Sequence, residues 1–222
     1  MTALKVFVLL GMPGVGKGTQ AQFIAQHYQL HHIDTGHCLR SEIASGSELG
    51  LLAKGYVDKG ELVPFDLVLQ VIKASMGRIG AEKTGYLFDG FPRNLDQAQG
   101  LNRILEELKL NINAVLYLET PTDILMDRLA YRVTCAKCDT KYNLKLNPPK
   151  TPGICDKCGG ELVTRKDDHP DVIGNRLKAY ETETSPLIAY YENQGLLRRI
   201  NADQPIEAVA TAIQTQMDPV FP

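Results

Sequence analysis

Four short runs of apolar, β-branched or aromatic residues alternate along the chain with longer segments of helical periodicity. The runs are Leu4–Leu10, Tyr86–Phe88, Ala114–Leu118 and Leu197–Ile200. Strands that alternate with helices are typical of a parallel sheet covered by helices on both faces. The pattern therefore predicts an α/β fold built on a parallel sheet.

Two stretches break this alternation. Residues 34–63 have helical character and several glycines, whereas residues 133–168 are rich in Cys, Pro, Gly and Lys and show little helical period. Each stretch lies between core elements, so we expect both to project from the sheet as insertions. The core domain would then comprise residues 1–33, 64–132 and 169–222. The second insertion is too small and too polar to hold together through its own core, so we expect small hairpins held by a metal ion.

Local sequence predicts the start of one helix and the extent of another. Thr120 is a candidate cap, followed by Pro121 at the first helical position and Asp123 in the first turn. Residues 171–193 read as one long helix, in which Pro186 is a candidate kink.

The first strand runs directly into Gly11–Thr19, a segment with four glycines and one lysine. A strand, a glycine-rich loop and a helix start form the layout of a phosphate-binding loop. Backbone N–H groups and the positive end of the helix would face one anion, and Lys17 would add a mobile charge. Gly18, rather than Ser or Thr, follows the lysine, and the hydroxyl comes at Thr19. The alternative is a plain glycine-rich turn, which this composition makes a weaker interpretation.

Four of the five cysteines form two CxxC pairs, Cys135 with Cys138 and Cys155 with Cys158. This spacing predicts a tetrahedral four-thiolate zinc site, which leaves no open position for a substrate and is therefore structural. Iron can also occupy four thiolates. Two disulfides are the competing interpretation, and they fit poorly with a chain that shows no export signal. Cys38 reads as an ordinary small buried residue.

Charge and hydropathy argue against a nucleic-acid-binding, membrane-spanning or exported protein. The chain has 222 residues and a formal net charge of −2, so a basic nucleic-acid surface is not indicated. No apolar run is long enough to span a bilayer, and Val6–Leu10 lacks a cleavage site for a signal peptide. We expect a soluble, cytoplasmic protein that binds neither nucleic acid nor membrane.

Charged residues supply candidates for phosphoryl chemistry, which needs a magnesium ion and positive charge around the moving group. Asp89 ends a predicted strand, where its carboxylate would hold magnesium directly or through water, and Arg93 follows closely. Arg128 and Arg132 are spaced i, i+4, which would place them on one helix face. Arg165 and Arg176 flank Asp167 and Asp168. For any one of these residues, a solvated surface charge or an ordinary salt bridge, such as Asp167 or Asp168 with Lys166, explains it as well. Only the joint pattern favours function.

That joint pattern resembles the adenylate kinase family. The matching motifs occur in the expected order over nearly the whole chain: Gly11–Thr19, His32–Arg40, Gly60–Pro64, Asp89–Gln97 and Thr164–Arg176. The lysine-glycine-threonine order is similar to the nucleoside-monophosphate kinase version of the phosphate loop. The cysteine insertion resembles the lid of the long, zinc-bearing bacterial form. The resemblance implies a P-loop nucleoside-monophosphate kinase core, an AMP-binding insertion at 34–63 and a lid at 133–168.

The resemblance also implies a role for each matching residue. The reaction would be reversible phosphoryl transfer from Mg-ATP to AMP giving two ADP, with Mg²⁺ and a structural Zn²⁺ as cofactors, in a monomer. Backbone groups near residues 201–204 would meet the adenine of ATP. The residues implied to bind ATP are Gly14, Val15, Gly16, Lys17, Gly18, Thr19, Arg128, Arg132 and Gln204. Those implied to bind AMP are Thr35, Arg40, Leu62, Val63, Gly90, Arg93, Gln97, Arg165 and Arg176. Those implied in catalysis are Lys17, Arg93, Arg128, Arg165 and Arg176, with Asp89 holding magnesium through water.

Two positions depart from the family pattern. His37 stands where an aspartate near the metal is usual, which puts magnesium affinity in doubt and adds a group that titrates near neutrality. The simpler alternative is that water fills the gap. Phe65 replaces an acid, and we expect this change to affect packing of the AMP-side insertion rather than chemistry.

Two other functions stay open. One is a kinase for UMP and CMP or for GMP, against which the long cysteine-bearing insertion argues. The other is a zinc-ribbon binding module that uses nucleotide as a switch. Its nucleic-acid surface would be formed by the lysines of the cysteine segment, Lys137, Lys141, Lys145, Lys150 and Lys157.

Overall fold

The computed structural model describes residues 4–221, without the side chains of Pro170 and Asp171. Its strands are β1 (Lys5–Leu10), β2 (Leu30–Asp34), β3 (Gly85–Asp89), β4 (Ala114–Glu119), β5 (Arg132–Cys135), β6 (Lys141–Asn143), β7 (Leu162–Val163) and β8 (Leu197–Asn201). Five of them form a central sheet in the order β2-β3-β1-β4-β8, and every pairing in it is parallel. The predicted α/β class is confirmed.

Helices cover both faces of this sheet. They are α1 (Lys17–His27), α2 (Thr35–Ser45), α3 (Glu48–Lys59), α4 (Phe65–Met76), α5 (Leu95–Glu107), α6 (Thr122–Ala130), α7 (Pro170–Ala179), α8 (Pro186–Glu192) and α9 (Ile206–Met217). Alternate residues of β1 enter two different hydrophobic clusters, Val6 and Val8 one and Phe7 and Leu9 the other. None of the helices among residues 4–221 combines the length and apolar character needed to cross a membrane.

Two local predictions need correction. The helix near residue 120 begins at Thr122 with Pro121 as its cap position, so the Thr120 side chain does not cap it. The long helix predicted over 171–193 is interrupted: α7 gives way to a π-helical turn, Tyr180–Thr184, before α8 starts at Pro186. Proline has no N–H for the helical ladder and its ring crowds the preceding turn, which accounts for the wider turn before it.

Two helices, α2 and α3, occupy the first predicted insertion. Gly46 and Gly60 end them in left-handed conformations, with φ of 69° and 72°. The helices approach closely at Gly50, where a β-carbon would lie 2.1 Å from the carbonyl oxygen of Glu42. Phe65 packs against the hydrophobic cluster that contains Leu39 and Ala53 of this insertion. It lies over Gly100 of α5, where a β-carbon would lie 2.1 Å from its ring.

The second insertion forms a separate antiparallel sheet in the order β6-β5-β7. Two turns of the same design carry its cysteine pairs. Cys135 N–H donates to the Thr140 carbonyl at 2.9 Å, and Cys155 N–H donates to the Gly160 carbonyl at 2.8 Å. The first strand of this sheet, β5, begins at Arg132, and we refer to residues 132–168 as the lid.

Candidate active site

A cleft of about 780 Å³ opens at the carboxyl ends of β1, β2 and β3, between the core, the α2–α3 insertion and the lid. The carboxyl edge of a parallel sheet is where α/β proteins place their ligands. All of the residues predicted to contact ATP, AMP or magnesium line this one cleft. The four cysteines lie outside it, in the lid.

The phosphate loop wraps around the side chain of Lys17. Gly14 and Gly16 have φ of 87° and 104°, which glycine adopts without strain. The Lys17 ammonium donates to the carbonyl oxygens of Gly11 at 2.6 Å and Met12 at 3.1 Å. Burial lowers the pKa of Lys17 to about 8, an effect that Asp89 opposes and that Arg93 and other arginines increase. The lysine is thus held in a dry, positively charged environment.

Opposite the loop, Arg93 is fixed by its own segment. Its Nε donates to the Gly90 carbonyl at 2.9 Å, and its backbone N–H donates to Oε1 of Gln97 at 2.8 Å. Thr35 donates to the Asp89 carbonyl at 3.2 Å, which joins α2 to the end of β3. Burial lowers the pKa of Arg93. These contacts hold a partly buried guanidinium with donors left to face the cleft.

Three arginines share two buried aspartates at the base of the lid. Arg132 Nε donates to Asp168 at 2.7 Å, and Arg176 Nη1 donates to the same carboxylate at 2.6 Å. Arg165 forms a two-point contact with Asp167, with Nε at 2.9 Å and Nη2 also bonded. The aspartates therefore pair with these arginines rather than with Lys166. Three cations against two anions leave a positive surplus facing the cleft.

The pKa values of Asp167 and Arg176 in this cluster are both lowered, for different reasons. Burial raises the pKa of Asp167, but Arg165 and Arg176 outweigh it and hold this pKa below its usual range. Burial lowers the pKa of Arg176 to about 10, and Arg132 and Arg165 add to this effect while Asp167 opposes it.

Arg132 and Arg128 do not share a helix face, contrary to the prediction. The helix α6 ends at Ala130, so Arg132 lies on β5 of the lid. Arg128 stays on α6 and donates to the carbonyl oxygens of Val15 at 3.4 Å and Ala202 at 3.3 Å. Gln204 donates to the Asn201 carbonyl at 3.2 Å. Both arginines still line the cleft, one from the core and one from the lid.

An acidic corner lies beside the phosphate loop. Asp34 and Asp89 are register partners at the ends of β2 and β3, and with His32 their ligand atoms lie within 4.8 Å of one another. Carboxylate oxygens suit a hard cation such as Mg²⁺, so Asp89 is fit for its predicted role. His37 does not join this corner. Its Nδ1 lies 3.3 Å from Asp139 of the lid, and the bond to Asp139 raises the pKa of His37 against the effect of burial.

The four lid cysteines converge as thiols. Sγ of Cys158 lies 3.2 Å from that of Cys138 and 3.5 Å from that of Cys135, and Cys138 lies 3.6 Å from Cys155. A tetrahedral zinc site with Zn–S bonds of about 2.3 Å needs sulfur atoms about 3.8 Å apart. A disulfide needs about 2.05 Å. The spacing fits a four-thiolate metal site. Cys38, the fifth cysteine, is free and only partly buried.

The sequence profile of adenylate kinases matches residues 9–196 of this chain. The chain belongs to the adenylate kinase family. It is 44% identical over 207 residues to an adenylate kinase of Geobacillus sp. (strain WCH70), covering 93% of this chain and 95% of that protein. It is 45% identical over 202 residues to an adenylate kinase of Bacillus subtilis (strain 168), covering 91% and 93%. It is 46% identical over 202 residues to one from Syntrophobacter fumaroxidans, covering 91% and 94%.

The adenylate kinase motifs do not account for every charged residue of the cleft. Lys141 and Asp34 also line it, although the resemblance assigned neither of them to nucleotide or metal binding. Asp139 of the lid lies 3.4 Å from Arg40 of α2. These contacts join segments about a hundred residues apart, and local sequence gives no signal for them.

Proposed function

We propose that this protein catalyses the reversible transfer of the γ-phosphoryl group of Mg-ATP to AMP, giving two ADP. One observation carries the proposal: a single cleft contains the phosphate loop together with a second, arginine-lined anion site at Arg93 and Arg40. A hydrolase would need only the first site. Two anion sites in one cleft suit a donor and an acceptor that both carry phosphate.

On the donor side, we propose that backbone N–H groups of Gly14–Thr19 hold the ATP phosphates, with Lys17 on the outer ones. Arg128 and Arg132 would neutralise charge on the same phosphates from the core and from the lid. Gln204 would face the adenine. This assignment is supported by the conformation of the loop and by the buried Lys17 ammonium within it.

On the acceptor side, we propose that Arg93 and Arg40 hold the AMP phosphate, because both are partly buried and line the cleft. Thr35, Leu62, Val63, Gly90 and Gln97 would form the pocket for its nucleoside. Arg165 and Arg176 would contact phosphates at the junction of the two nucleotides. Buried arginines that bind phosphate in two-point contacts favour one orientation of the acceptor.

The chemistry then needs no nucleophilic side chain. An oxygen of the AMP phosphate attacks the γ-phosphorus in line, and the bond to the β-phosphate oxygen breaks. Mg²⁺ bound with ATP would neutralise charge on the phosphate oxygens, and Asp89 would hold its water ligands. Lys17 and the arginines stabilise the charge that moves between the nucleotides. Closure of the lid would exclude water, which otherwise competes as acceptor.

For the lid, we propose that Cys135, Cys138, Cys155 and Cys158 hold a structural Zn²⁺. The four sulfur atoms are grouped for tetrahedral binding, and the donor set leaves no room for a substrate. The metal would make the small lid sheet a rigid body that moves as a unit. Two lid lysines engage the protein itself, Lys141 in the cleft and Lys145 with Asp127 at 2.8 Å, which argues against a nucleic-acid surface.

A coupled assay with ATP and equal concentrations of AMP, GMP, CMP or UMP tests this function. We expect AMP to be the preferred acceptor. A higher kcat/KM with any other monophosphate would contradict the assignment and favour the rival nucleoside-monophosphate kinase. Arg93→Ala should raise KM for AMP far more than KM for ATP, and equal increases would show that Arg93 serves the other nucleotide.

A further inference from the structure

Lys141 leaves the lid sheet and enters the cleft. It lies on β6, and its side chain is 17% exposed. Its Nζ lies 2.9 Å from Oδ2 of Asp34 and 3.9 Å from Oδ2 of Asp139. The lysine thus connects the lid to the acidic corner of the core.

The same ammonium lies against the phosphate loop. A β-carbon on Gly18 would lie 2.5 Å from Nζ of Lys141 and 3.2 Å from its Cδ. Gly18 is the second residue of α1, within the turn whose free N–H groups bind anions. A cation beside the positive end of a helix is unfavourable unless an anion lies between them or nearby. In the protein alone, Asp34 supplies that negative charge.

We propose that Lys141 is a phosphate-binding residue that the lid delivers to the ATP phosphate chain above Gly18. The proposal rests on the proposed function, because its ligand is the nucleotide that the loop would hold. Lys141 changes partner when ATP binds, from the Asp34 carboxylate to phosphate oxygens. The charge of the donor then replaces that of Asp34 as the partner of this lid lysine.

Asp34 competes with phosphate for the ammonium. Burial raises the pKa of Asp34, but Lys141, the His37 N–H and Arg40 outweigh it and keep the carboxylate ionised. Asparagine at this position would keep the acceptor that caps α2 through the His37 N–H, which lies 2.8 Å away. It would remove only the competing charge. The exchange therefore predicts opposite effects for the two partners of one ion pair.

The test is the affinity for ATP, measured by calorimetry in Mg²⁺-free buffer without chelator, so that the lid keeps its metal. Lys141→Met should weaken ATP binding about 10-fold or more, as expected for a lost charged hydrogen bond. Lys141→Arg should stay within about 3-fold of wild type, since it keeps the charge. Asp34→Asn should bind ATP as tightly as wild type or more tightly. Lys145→Met is the matched control, because Lys145 is 47% exposed and pairs outside the cleft.

Adenosine, which has no phosphate, distinguishes a direct contact of Lys141 with phosphate from an effect of Lys141 on the position of the lid. Its affinity should be the same for wild type and Lys141→Met, and an equal loss for both ligands would overturn the proposal. Equal losses of ATP affinity in Asp34→Asn and Lys141→Met would also overturn it, because they would show that the pair acts only by holding the lid. Wild-type ADP formation from ATP and AMP is measured separately. An inactive wild type would contradict the proposed function, whereas an active wild type with unchanged ATP affinity in Lys141→Met contradicts only this inference.

Discussion

The lowered pKa of Lys17 predicts that ATP binding takes up a proton from solvent. In the protein without nucleotide, Lys17 has a pKa of about 8 instead of 10.5, chiefly because it is buried. A phosphate chain in the loop places negative charge beside the ammonium and raises its pKa towards the ordinary value. Above pH 8, the free protein therefore holds a largely neutral Lys17, and the ATP complex holds a charged one.

The size of the effect follows from the two pKa values. At pH 8.5, a pKa of about 8 leaves roughly a quarter of Lys17 protonated, so binding takes up about 0.75 proton, against about 0.1 at pH 7. The terminal phosphate of ATP, with a last pKa of about 6, is fully ionised at pH 8.5, so it does not contribute to the uptake measured there. The lowered pKa of Lys17 also affects stability. Between pH 8 and pH 10.5, Lys17 is protonated in the unfolded chain but largely neutral in the folded protein. Its contribution to the free energy of unfolding therefore rises with pH over this range.

Calorimetry of ATP binding at pH 8.5 in Tris and in TAPS measures the uptake. The slope of observed enthalpy against the ionisation enthalpy of the buffer gives the number of protons. Lys17→Arg is the control, because arginine stays charged in both states and should give a slope near zero. A wild-type slope equal to that of Lys17→Arg would refute the reasoning, since it would show that burial does not shift the lysine.

Three further predictions concern stability and metal. Gly50→Ala should lower the free energy of unfolding by about 1–3 kcal/mol, since its β-carbon would meet the backbone of α2. Gly55→Ala on the same helix, with open space around it, should raise that free energy by about 0.5–1 kcal/mol in urea unfolding. If both variants changed the free energy of unfolding in the same direction, the close packing of α3 on α2 at Gly50 would be contradicted. Asp168→Asn should lower the free energy of unfolding by about 3–5 kcal/mol, because two partly buried guanidinium groups lose a fully buried carboxylate. The exposed Asp127→Asn should cost less than about 1 kcal/mol. Cys155→Ser should lower the melting temperature and the bound metal measured by elemental analysis, and wild-type metal content would refute the four-thiolate site.

The parts of the fold that sequence predicts well are those whose chemistry lies in contiguous residues. The phosphate loop is one continuous segment, and each cysteine pair sits in one turn. By contrast, the strand β2 was missed, because it combines two histidines and an aspartate with only two buried residues, Leu30 and Ile33. The strand β2 lies at the edge of the sheet, where fewer of its side chains need apolar cover. Its sequence of polar and apolar residues therefore does not indicate a buried strand.

The parts that sequence does not predict depend on where elements end and how distant segments meet. The i, i+4 spacing of Arg128 and Arg132 indicates a shared face only if the helix continues, and it ends at Ala130. Lys141 looks like any other lid lysine, because a short lid strand does not reveal which side faces the core. Its partner Asp34 lies 107 residues away. Such a pair can be recognised only once the lid is placed over the sheet.

The balance of charge in the cleft explains why its basic residues indicate binding rather than a structural network. The chain is acidic overall, with a net charge of −2, yet the cleft has more cations than anions. Its cations are Lys17, Arg40, Arg93, Arg128, Arg132, Lys141, Arg165 and Arg176. Its anions are Asp34, Glu61, Asp89, Asp167, Asp203 and Glu207.

The pKa values of these cations also indicate that the cleft binds anions. In a network that only stabilises the fold, each buried arginine or lysine gains a partner and its pKa rises. That holds for Arg165, where burial lowers the pKa but Asp167 more than offsets it. It does not hold for Lys17, Arg93 and Arg176, whose pKa values are lowered mainly by burial. Arg176 has two aspartate partners, whereas Lys17 and Arg93 carry charge that the protein alone leaves undercompensated and that a polyanion in the cleft would balance. The donor and acceptor phosphates of the proposed reaction supply that negative charge at both ends of the cleft, which a single phosphate ligand would not.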